Sequence, residues 1–193
     1  GIVPFNIVDG TIKTPPPKDK ISWSKMVADH IELNMSKDKD IVAITPAMIH
    51  GSCMDDIFEH FPNRSFDVGI AEEHALTFTA GLAIAKKKPF ISVYSSFLQR
   101  AYDQINHDIA RMDLGCLICV DRCGFVGADG PTHHGVFDLG ILNPLPNVII
   151  CTPSNSKDAK KFINTYIKNN DHPYILRIPR GDIKDEIVKD DDF

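Results

Sequence analysis

The stretch FISVYSSFLQRAYDQINHDIARMDLGCLICV, residues 90–120, decides the fold class of this chain. It begins with the apolar run FISVY and ends with the apolar run CLICV, and both have the length and composition of buried strands. The segment between them predicts a strand-to-helix turn that holds Tyr94, Phe97 and Arg100, followed by a helix with Asp103, His107 and Asp108, up to residue 108. Two strands joined by a helix lie parallel in one sheet. The stretch therefore predicts a strand–helix–strand unit.

The same alternation of strand and helix extends along most of the chain. Four further apolar runs predict strands, namely IVAIT at 41–45, FDVG at 66–69, NVIIC at 147–151 and YILRI at 174–178. Helices are predicted at 22–35, 69–85 and 154–170. We therefore expect an α/β fold, with a mostly parallel six-stranded sheet and helices on both faces. Such sheets bind ligands beyond the carboxyl ends of their strands, so polar residues at those ends are candidate site residues.

The two ends of the chain differ in composition from its middle. TPPPKDK at 14–20 is rich in proline, which neither continues a helix nor pairs in a sheet. KDEIVKDDDF at 184–193 is charged and without periodicity. We expect an arm or linker at 1–20, one domain at 21–182 and a connector at 183–193.

The composition excludes two classes of partner. The 193 residues include 21 basic and 26 acidic ones, which gives a formal net charge of −5. A negative chain does not attract nucleic acid over long range. Its apolar runs also fall far short of the roughly 20 residues that a membrane helix needs. We expect neither nucleic acid nor a membrane among its partners.

The five cysteines predict reduced thiols, because their number is odd and a chain of this length does not need disulfides to be stable. Three of them form the pattern C-x2-C-x3-C at 116–123, which resembles half of a metal site. However, Cys116 and Cys119 lie in one predicted strand, where side chains alternate between the two faces. We therefore expect buried apolar thiols and no metal.

Three predicted strand ends carry unusual side chains. After the second strand, GIAEEH places Glu72 and Glu73 in the first turn of a helix, where the helix dipole accounts for one carboxylate but does not require two. After the third strand come Tyr94, Phe97 and Arg100. The glycine-rich segment 121–135, which follows the fourth strand, contains Arg122, Asp129, His133 and His134. A long loop with such residues is typical of a functional site.

These segments resemble a known enzyme family. IAEEHALTFTAGLAIA, YSSFLQRAYDQINHD, DRCGFVGADGPTHHGVFDL and RIPRGD are similar to the central, pyrimidine-binding domain of the 1-deoxy-D-xylulose-5-phosphate synthase family, which are transketolase-like thiamine-diphosphate enzymes. The glutamate-helix pattern alone also suits transketolase or the beta chain of a 2-oxoacid dehydrogenase. The RAYDQ and GADGPTHHG runs favour the synthase.

The resemblance implies the decarboxylative condensation of pyruvate with glyceraldehyde 3-phosphate, the first step towards isoprenoid precursors without mevalonate. It implies thiamine diphosphate and Mg2+ as cofactors, with the metal held by a diphosphate-binding domain that precedes this one in the family. It also implies a third, C-terminal domain and a homodimer of the full-length enzyme. We expect this chain alone to be inactive and to hold no metal itself.

The family's site residues match positions of this sequence. On the cofactor side, the resemblance implies that Glu72 activates the aminopyrimidine, that Phe97 stacks on it, and that Ile70 and Met48 line its pocket. On the substrate side it implies Tyr94, Arg122 and Arg180 as phosphate ligands with Arg100 beside them, and Asp129 and His133 closing over the ligand, with His133 also as a catalytic donor.

Two positions depart from the family pattern. Glu73 stands where the family usually has glutamine, and we expect it to point away from the site because consecutive helix residues lie about 100° apart. GSCM at 51–54 replaces the usual Gly-Thr-Gly-Leu.

Two other functions and the compartment stay open. A metal-dependent phosphohydrolase would use a ligand set of His107, Asp108, His133, His134 and Asp138, and a noncatalytic interaction domain would keep only the fold. The 15 lysines against 6 arginines suggest an AT-rich genome. With the family's distribution, this favours a plastid of the apicoplast type, with the bacterial cytoplasm as the alternative.

Overall fold

The computed structural model of this chain describes residues 5–11 and 20–183. The predicted arm at 1–20 and connector at 183–193 fall largely outside these residues, so both stay predictions. In the part described, no helix is long and apolar enough to cross a membrane.

Six parallel strands form the centre of the fold. They are β1 (Ile41–Thr45), β2 (Ser65–Asp67), β3 (Lys88–Tyr94), β4 (Cys116–Cys123), β5 (Ile149–Cys151) and β6 (Pro173–Pro179). Their order in the sheet is β2-β1-β3-β4-β6-β5, and every neighbouring pair is parallel. The expected α/β class and all six strands are confirmed, and the sheet is wholly rather than mostly parallel.

The connections between strands are mainly helical. The α-helices of the described residues are α1 (Trp23–Lys37), α2 (Asp55–His60), α3 (Glu72–Ile84), α4 (Ser95–Leu98), α5 (Tyr102–Gln104), α6 (Asp138–Leu142) and α7 (Ser156–Lys168). The helix predicted up to residue 108 is divided in the structure. A 3-10 turn separates α4 from α5, and a π-helical segment, Ile105–Ala110, follows α5.

Two apolar cores cover the two faces of the sheet, as predicted. One packs α1, α2 and α7 against it, and the other packs α3, α4 and α6. The cysteines of β4 follow the same division, since Cys119 lies in the first core and Cys116 in the second. All five cysteines are free thiols. The prediction that Cys116 and Cys119 point to opposite faces of the sheet is confirmed.

The carboxyl end of β4 corrects the sequence prediction. Residues 121–123 were expected in a loop, but β4 continues to Cys123. The pairing of β4 with β6 shifts register between Val120 and Cys123, and Arg122 has a positive φ of 59°. An irregularity of this kind changes the direction of a side chain at a strand end. This irregularity positions Arg122 at the carboxyl end of β4, where the ligands of a parallel sheet are expected.

Candidate active site

Glu72 is a buried carboxylate at the first residue of α3. It is 2 % exposed, and its Oε1 accepts a hydrogen bond of 2.9 Å from Arg100 Nη1. Its Oε2 is also buried and has no hydrogen-bond partner among the described residues. A buried carboxylate oxygen without a partner is costly, so this atom is suited to a ligand that supplies a polar hydrogen. The neighbouring Glu73 is exposed, which confirms that it points away.

An aromatic group lies at the end of β3 and the start of α4. The rings of Tyr94 and Phe97 stack with centroids 5.7 Å apart, and the ring of His133 meets Phe97 edge-on at 5.5 Å. The guanidinium of Arg100 lies 5.3 Å from the centroid of Phe97. Arg100 thus joins the aromatic group to Glu72.

A second group gathers around the carboxylate of Asp129. Its Oδ2 lies 2.9 Å from Arg180 Nε and 3.3 Å from Arg122 Nε. The guanidinium of Arg122 also lies over the ring of Tyr94, at 4.1 Å from the centroid. Arg122 and Arg180 line an open cavity of about 270 Å³, to which Ser24 also contributes. Two arginines converging on one cavity are suited to a phosphate group.

Tyr94 keeps its phenolic proton in this setting. Burial raises its pKa to about 12. The neutral hydroxyl donates to the carbonyl oxygen of Gly51 at 3.3 Å. A Cβ added at Gly51 would lie 2.5 Å from Cε of Met48 and 2.6 Å from the Tyr94 hydroxyl oxygen. Gly51 is therefore required for the close approach of the segment 48–51 to Tyr94.

The other predicted pocket residues differ in exposure. Met48 is half-buried beside Tyr94, whereas Ile70 is 80 % exposed immediately before α3. In the departing GSCM segment, Cys53 has a positive φ of 55° and lines the cavity with Arg122 and Arg180. Burial raises the pKa of the Cys53 thiol.

The structure thus brings the predicted residues together as two groups, one around the carboxylate of Glu72 and the other around that of Asp129. Arg122 and Arg180 share Asp129. Arg100, predicted beside them, instead has its ion pair with Glu72 in the other group. His133 contacts Phe97, so it connects the loop of Asp129 to the aromatic group.

Sequence reasoning missed Ser24 and Asp121. The Ser24 hydroxyl donates to Asp121 Oδ2 at 2.6 Å, and Arg122 Nη1 lies 3.1 Å from Asp121 Oδ1. Asp121 is fully buried, and burial raises its pKa. An acid directly after the apolar run CLICV was a usable signal for Asp121. Nothing local in the sequence points to Ser24, which comes from the start of α1.

The ligand set of the metal-dependent hydrolase does not assemble. Asp108 accepts from the Thr77 hydroxyl, His134 Nδ1 accepts from the amide of Val126, and Asp138 pairs with Arg177. Within residues 5–11 and 20–183, the one cluster of metal-type ligands is Asp29, Glu32 and Asp56, where Lys25 neutralises two of the three carboxylates.

Comparison with known proteins decides the family. The family model described as "Transketolase, pyrimidine binding domain" matches residues 19–185. The chain belongs to this family. As a transketolase pyrimidine-binding domain, it has the parallel sheet and the buried glutamate at the start of α3 described above.

Relatives of this pyrimidine-binding domain include proteins named 1-deoxy-D-xylulose-5-phosphate synthase. The one from Listeria monocytogenes serotype 4b is 46% identical over 182 residues, and the one from Bacillus licheniformis is 46% identical over 181. Each match covers 94% of this chain but only 30% and 28% of those relatives. The chain therefore spans about 30% of the length of the curated relatives it matches.

Solved structures with the same fold include transketolases. A split-gene transketolase, described as an inactive β4 tetramer, has a TM-score of 0.75 and 23% identity, over 89% of this chain and 55% of that one. A Pichia stipitis transketolase in complex with sedoheptulose 7-phosphate has a TM-score of 0.76 and 16% identity, over 88% of this chain and 27% of that one. At these identities the likeness shows the fold of the pyrimidine-binding domain.

Proposed function

We propose that this chain is the pyrimidine-binding domain of a 1-deoxy-D-xylulose-5-phosphate synthase, which condenses pyruvate with glyceraldehyde 3-phosphate and releases carbon dioxide. The observation that carries the proposal is the buried carboxylate of Glu72, with one oxygen held by Arg100 and the other without a partner among the described residues. The relatives at about 45% identity support the synthase over transketolase or a 2-oxoacid dehydrogenase.

Glu72 and the aromatic group fit one half of thiamine diphosphate. When bound, this cofactor supplies the nucleophilic carbon that attacks the keto group of pyruvate. Glu72 Oε2 would hold a proton against a nitrogen of the pyrimidine ring, while Phe97, Met48 and Ile70 would contact its apolar surface. The Mg2+ ligands are expected in the diphosphate-binding domain of the same enzyme.

The second group would bind the aldehyde substrate. Arg122 and Arg180 carry two positive charges beside a cavity, and the ring of the neutral Tyr94 lies under the guanidinium of Arg122. A phosphate dianion there would form charge-assisted hydrogen bonds with both guanidinium groups. Asp129 would hold the two arginines in place. His133, at the edge of Phe97, would donate a hydrogen bond to the oxygen of the reacting carbonyl.

The expected partners of this domain are the diphosphate-binding and C-terminal domains of the same enzyme, in a homodimer of the full-length chain. The relatives quoted above are bacterial, which agrees with a bacterial source. The plastid location stays a prediction based on composition.

Substitution of Glu72 tests the proposed function. In the full-length enzyme, Glu72→Gln keeps the shape of the side chain but removes its proton-accepting charge, so we expect the rate of condensation to fall by at least about 100-fold. The matched control is Glu73→Gln, an adjacent and exposed carboxylate, which should keep nearly the full rate.

Three results would contradict the proposal. Full condensation activity in Glu72→Gln would favour the noncatalytic interaction domain. Transfer of a two-carbon unit from ketose phosphates, without any reaction of pyruvate, would favour transketolase. Acyl transfer from pyruvate to a lipoyl group, without condensation, would favour the 2-oxoacid dehydrogenase.

A further inference from the structure

Asp138 and Arg177 form a buried ion pair outside the two groups of the candidate site. Their side chains are 1 % and 10 % exposed. Arg177 donates from Nε to Asp138 Oδ2 at 2.7 Å and from Nη2 to Asp138 Oδ1 at 3.0 Å, so the contact is bidentate. A bidentate pair fixes the relative orientation of both side chains as well as their distance.

The pair joins four elements at the carboxyl edge of the sheet. Asp138 begins α6, and Arg177 lies in β6. A third donor of Arg177, Nη1, reaches the hydroxyl of Thr152, directly after β5, at 2.9 Å. The thiol of Cys123, the last residue of β4, donates to Asp138 Oδ2 at 3.1 Å.

Cys123 and Asp138 are also the residues on either side of the glycine-rich loop 124–137. The base of this loop is closed by two backbone hydrogen bonds of 2.8 Å, in which Gly124 and Gly135 each donate to the other. A Cβ added at Gly135 would lie 2.4 Å from the carbonyl oxygen of Arg122 and 2.5 Å from Ser95 Oγ. The loop base is thus packed tightly between β4 and α4.

The loop carries residues of both site groups. Asp129 contacts Arg122 and Arg180, and His133 contacts Phe97. A displacement of the loop relative to β6 and α4 would therefore separate Asp129 from Arg180 and His133 from Phe97 together.

We propose that Asp138 and Arg177 are positioning residues, which hold the 124–137 loop so that Asp129 and His133 reach the substrate. This inference rests on the proposed function for the identity of that substrate. A buried ion pair adds little net stability over apolar residues of the same size, so its directional geometry is its main contribution here. Asp138 contacts Arg177 and Cys123, so it acts on the site through the loop.

The experiment measures hydrogen–deuterium exchange of residues 121–138 in the full-length enzyme. Asp138→Asn keeps the size of the side chain but leaves Arg177 without its carboxylate. We expect the amides of Gly124, Val126 and Gly135, which are hydrogen-bonded within the loop, to exchange at least about tenfold faster. We also expect KM for the aldehyde phosphate to rise about tenfold and kcat to fall, because the loop carries both Asp129 and His133.

Two variants serve as comparison. Asp38→Asn is the matched control, because it makes the same change in an ion pair with Lys88, at the opposite end of β3 from the site. It should leave exchange of residues 121–138 and KM unchanged. Arg177→Lys keeps the positive charge but loses the two-pronged contact, so we expect loop exchange between that of the wild type and that of Asp138→Asn.

Wild-type loop exchange in a folded Asp138→Asn enzyme overturns the positioning role, whatever the activity. If Asp138→Asn does not fold, Arg177→Lys replaces it in the test. Wild-type exchange of the loop in Arg177→Lys then overturns the positioning role. Loss of loop protection with an unchanged KM overturns the link to the substrate. A wild-type enzyme without condensation activity contradicts the proposed function. The exchange experiment still tests the positioning role in that case.

Discussion

At the scale of single residues, position relative to the sheet determines what a charged side chain can do. Glu72 and Glu73 are chemically identical and adjacent, but one is 2 % exposed and the other lies in solvent. A similar contrast separates Arg100, which pairs with Glu72, from Arg122 and Arg180, which share Asp129. The role of each arginine therefore follows from its carboxylate partner.

Arg180 gives a prediction at this scale. In the full-length enzyme, Arg180→Lys should raise KM for glyceraldehyde 3-phosphate about tenfold, because lysine cannot replace the planar contact of guanidinium with phosphate. KM for pyruvate should stay near the wild-type value, since pyruvate has no phosphate. Steady-state kinetics with each substrate varied in turn would measure both. The control is Arg111→Lys, an exposed arginine after the π-helical segment.

An equal rise of both KM values would contradict the assignment of Arg180 to the phosphate. It would indicate a general disturbance of the site through Asp129.

At the scale of secondary-structure elements, the end of α3 shows backbone strain that the sequence did not signal. The amide of Lys86 donates to the carbonyl of Ala83, and that of Lys87 donates to Leu82, each at 3.0 Å. This hydrogen-bond pattern ends many helices, and glycine is the usual residue at the position of Lys86. Lys86 has a φ of 63° there. A lysine in that conformation carries a steric cost that glycine avoids.

Lys86→Gly should therefore stabilise the chain by about 1 kcal/mol, or about 2–4 °C in the midpoint of thermal unfolding. The side chain of Lys86 is exposed, so little packing is lost. Ala85→Gly is the control, because Ala85 has an ordinary φ of −75° and should lose stability instead. Equal effects of the two substitutions would show that the left-handed conformation is not the cause.

A pH-dependent contact joins α1 to α2. Nδ1 of His60 lies 2.6 Å from Glu32 Oε1, and this hydrogen bond raises the pKa of His60 above its usual 6.5. Glu59 and Asp56 act in the same direction. A raised pKa means that the folded state binds the proton more tightly, so the contact contributes fully below pH 6.5 and is lost as the pH rises through the higher folded value.

His60→Gln should accordingly lower the unfolding temperature at about pH 6 and have no effect at about pH 9. Thermal unfolding of both proteins across this range would measure the difference. His74→Gln serves as the control, since His74 stacks on Phe78. A difference between His60→Gln and the wild type that stays constant with pH would exclude the ionised pair.

At the scale of the whole molecule, the described residues account for only part of the proposed cofactor site. Glu72 offers one carboxylate oxygen, and the metal-type cluster of the described residues is already partly neutralised by Lys25. Relatives are more than three times as long as this chain, since it spans 30% of them. A second domain is therefore expected to hold the diphosphate and Mg2+.

Titration calorimetry tests this expectation. The 193-residue chain alone should bind thiamine diphosphate in the presence of Mg2+ more weakly than about 100 µM, because it contacts only the pyrimidine half. It should also show no condensation activity. The full-length enzyme is the positive control. Micromolar binding to the chain alone would contradict the expectation.

The sequence by itself determined the fold class, the six strands and the division between buried and exposed faces, because hydrophobic periodicity is a local property that sets which side of an element is buried. It also determined that Glu72 and Glu73 point in different directions. The tertiary structure alone decided which side chains meet. Ser24 reaches Asp121 across 97 positions of sequence, and the irregular end of β4 brings Arg122 over Tyr94. Such contacts depend on strand order and register, and local patterns do not specify either.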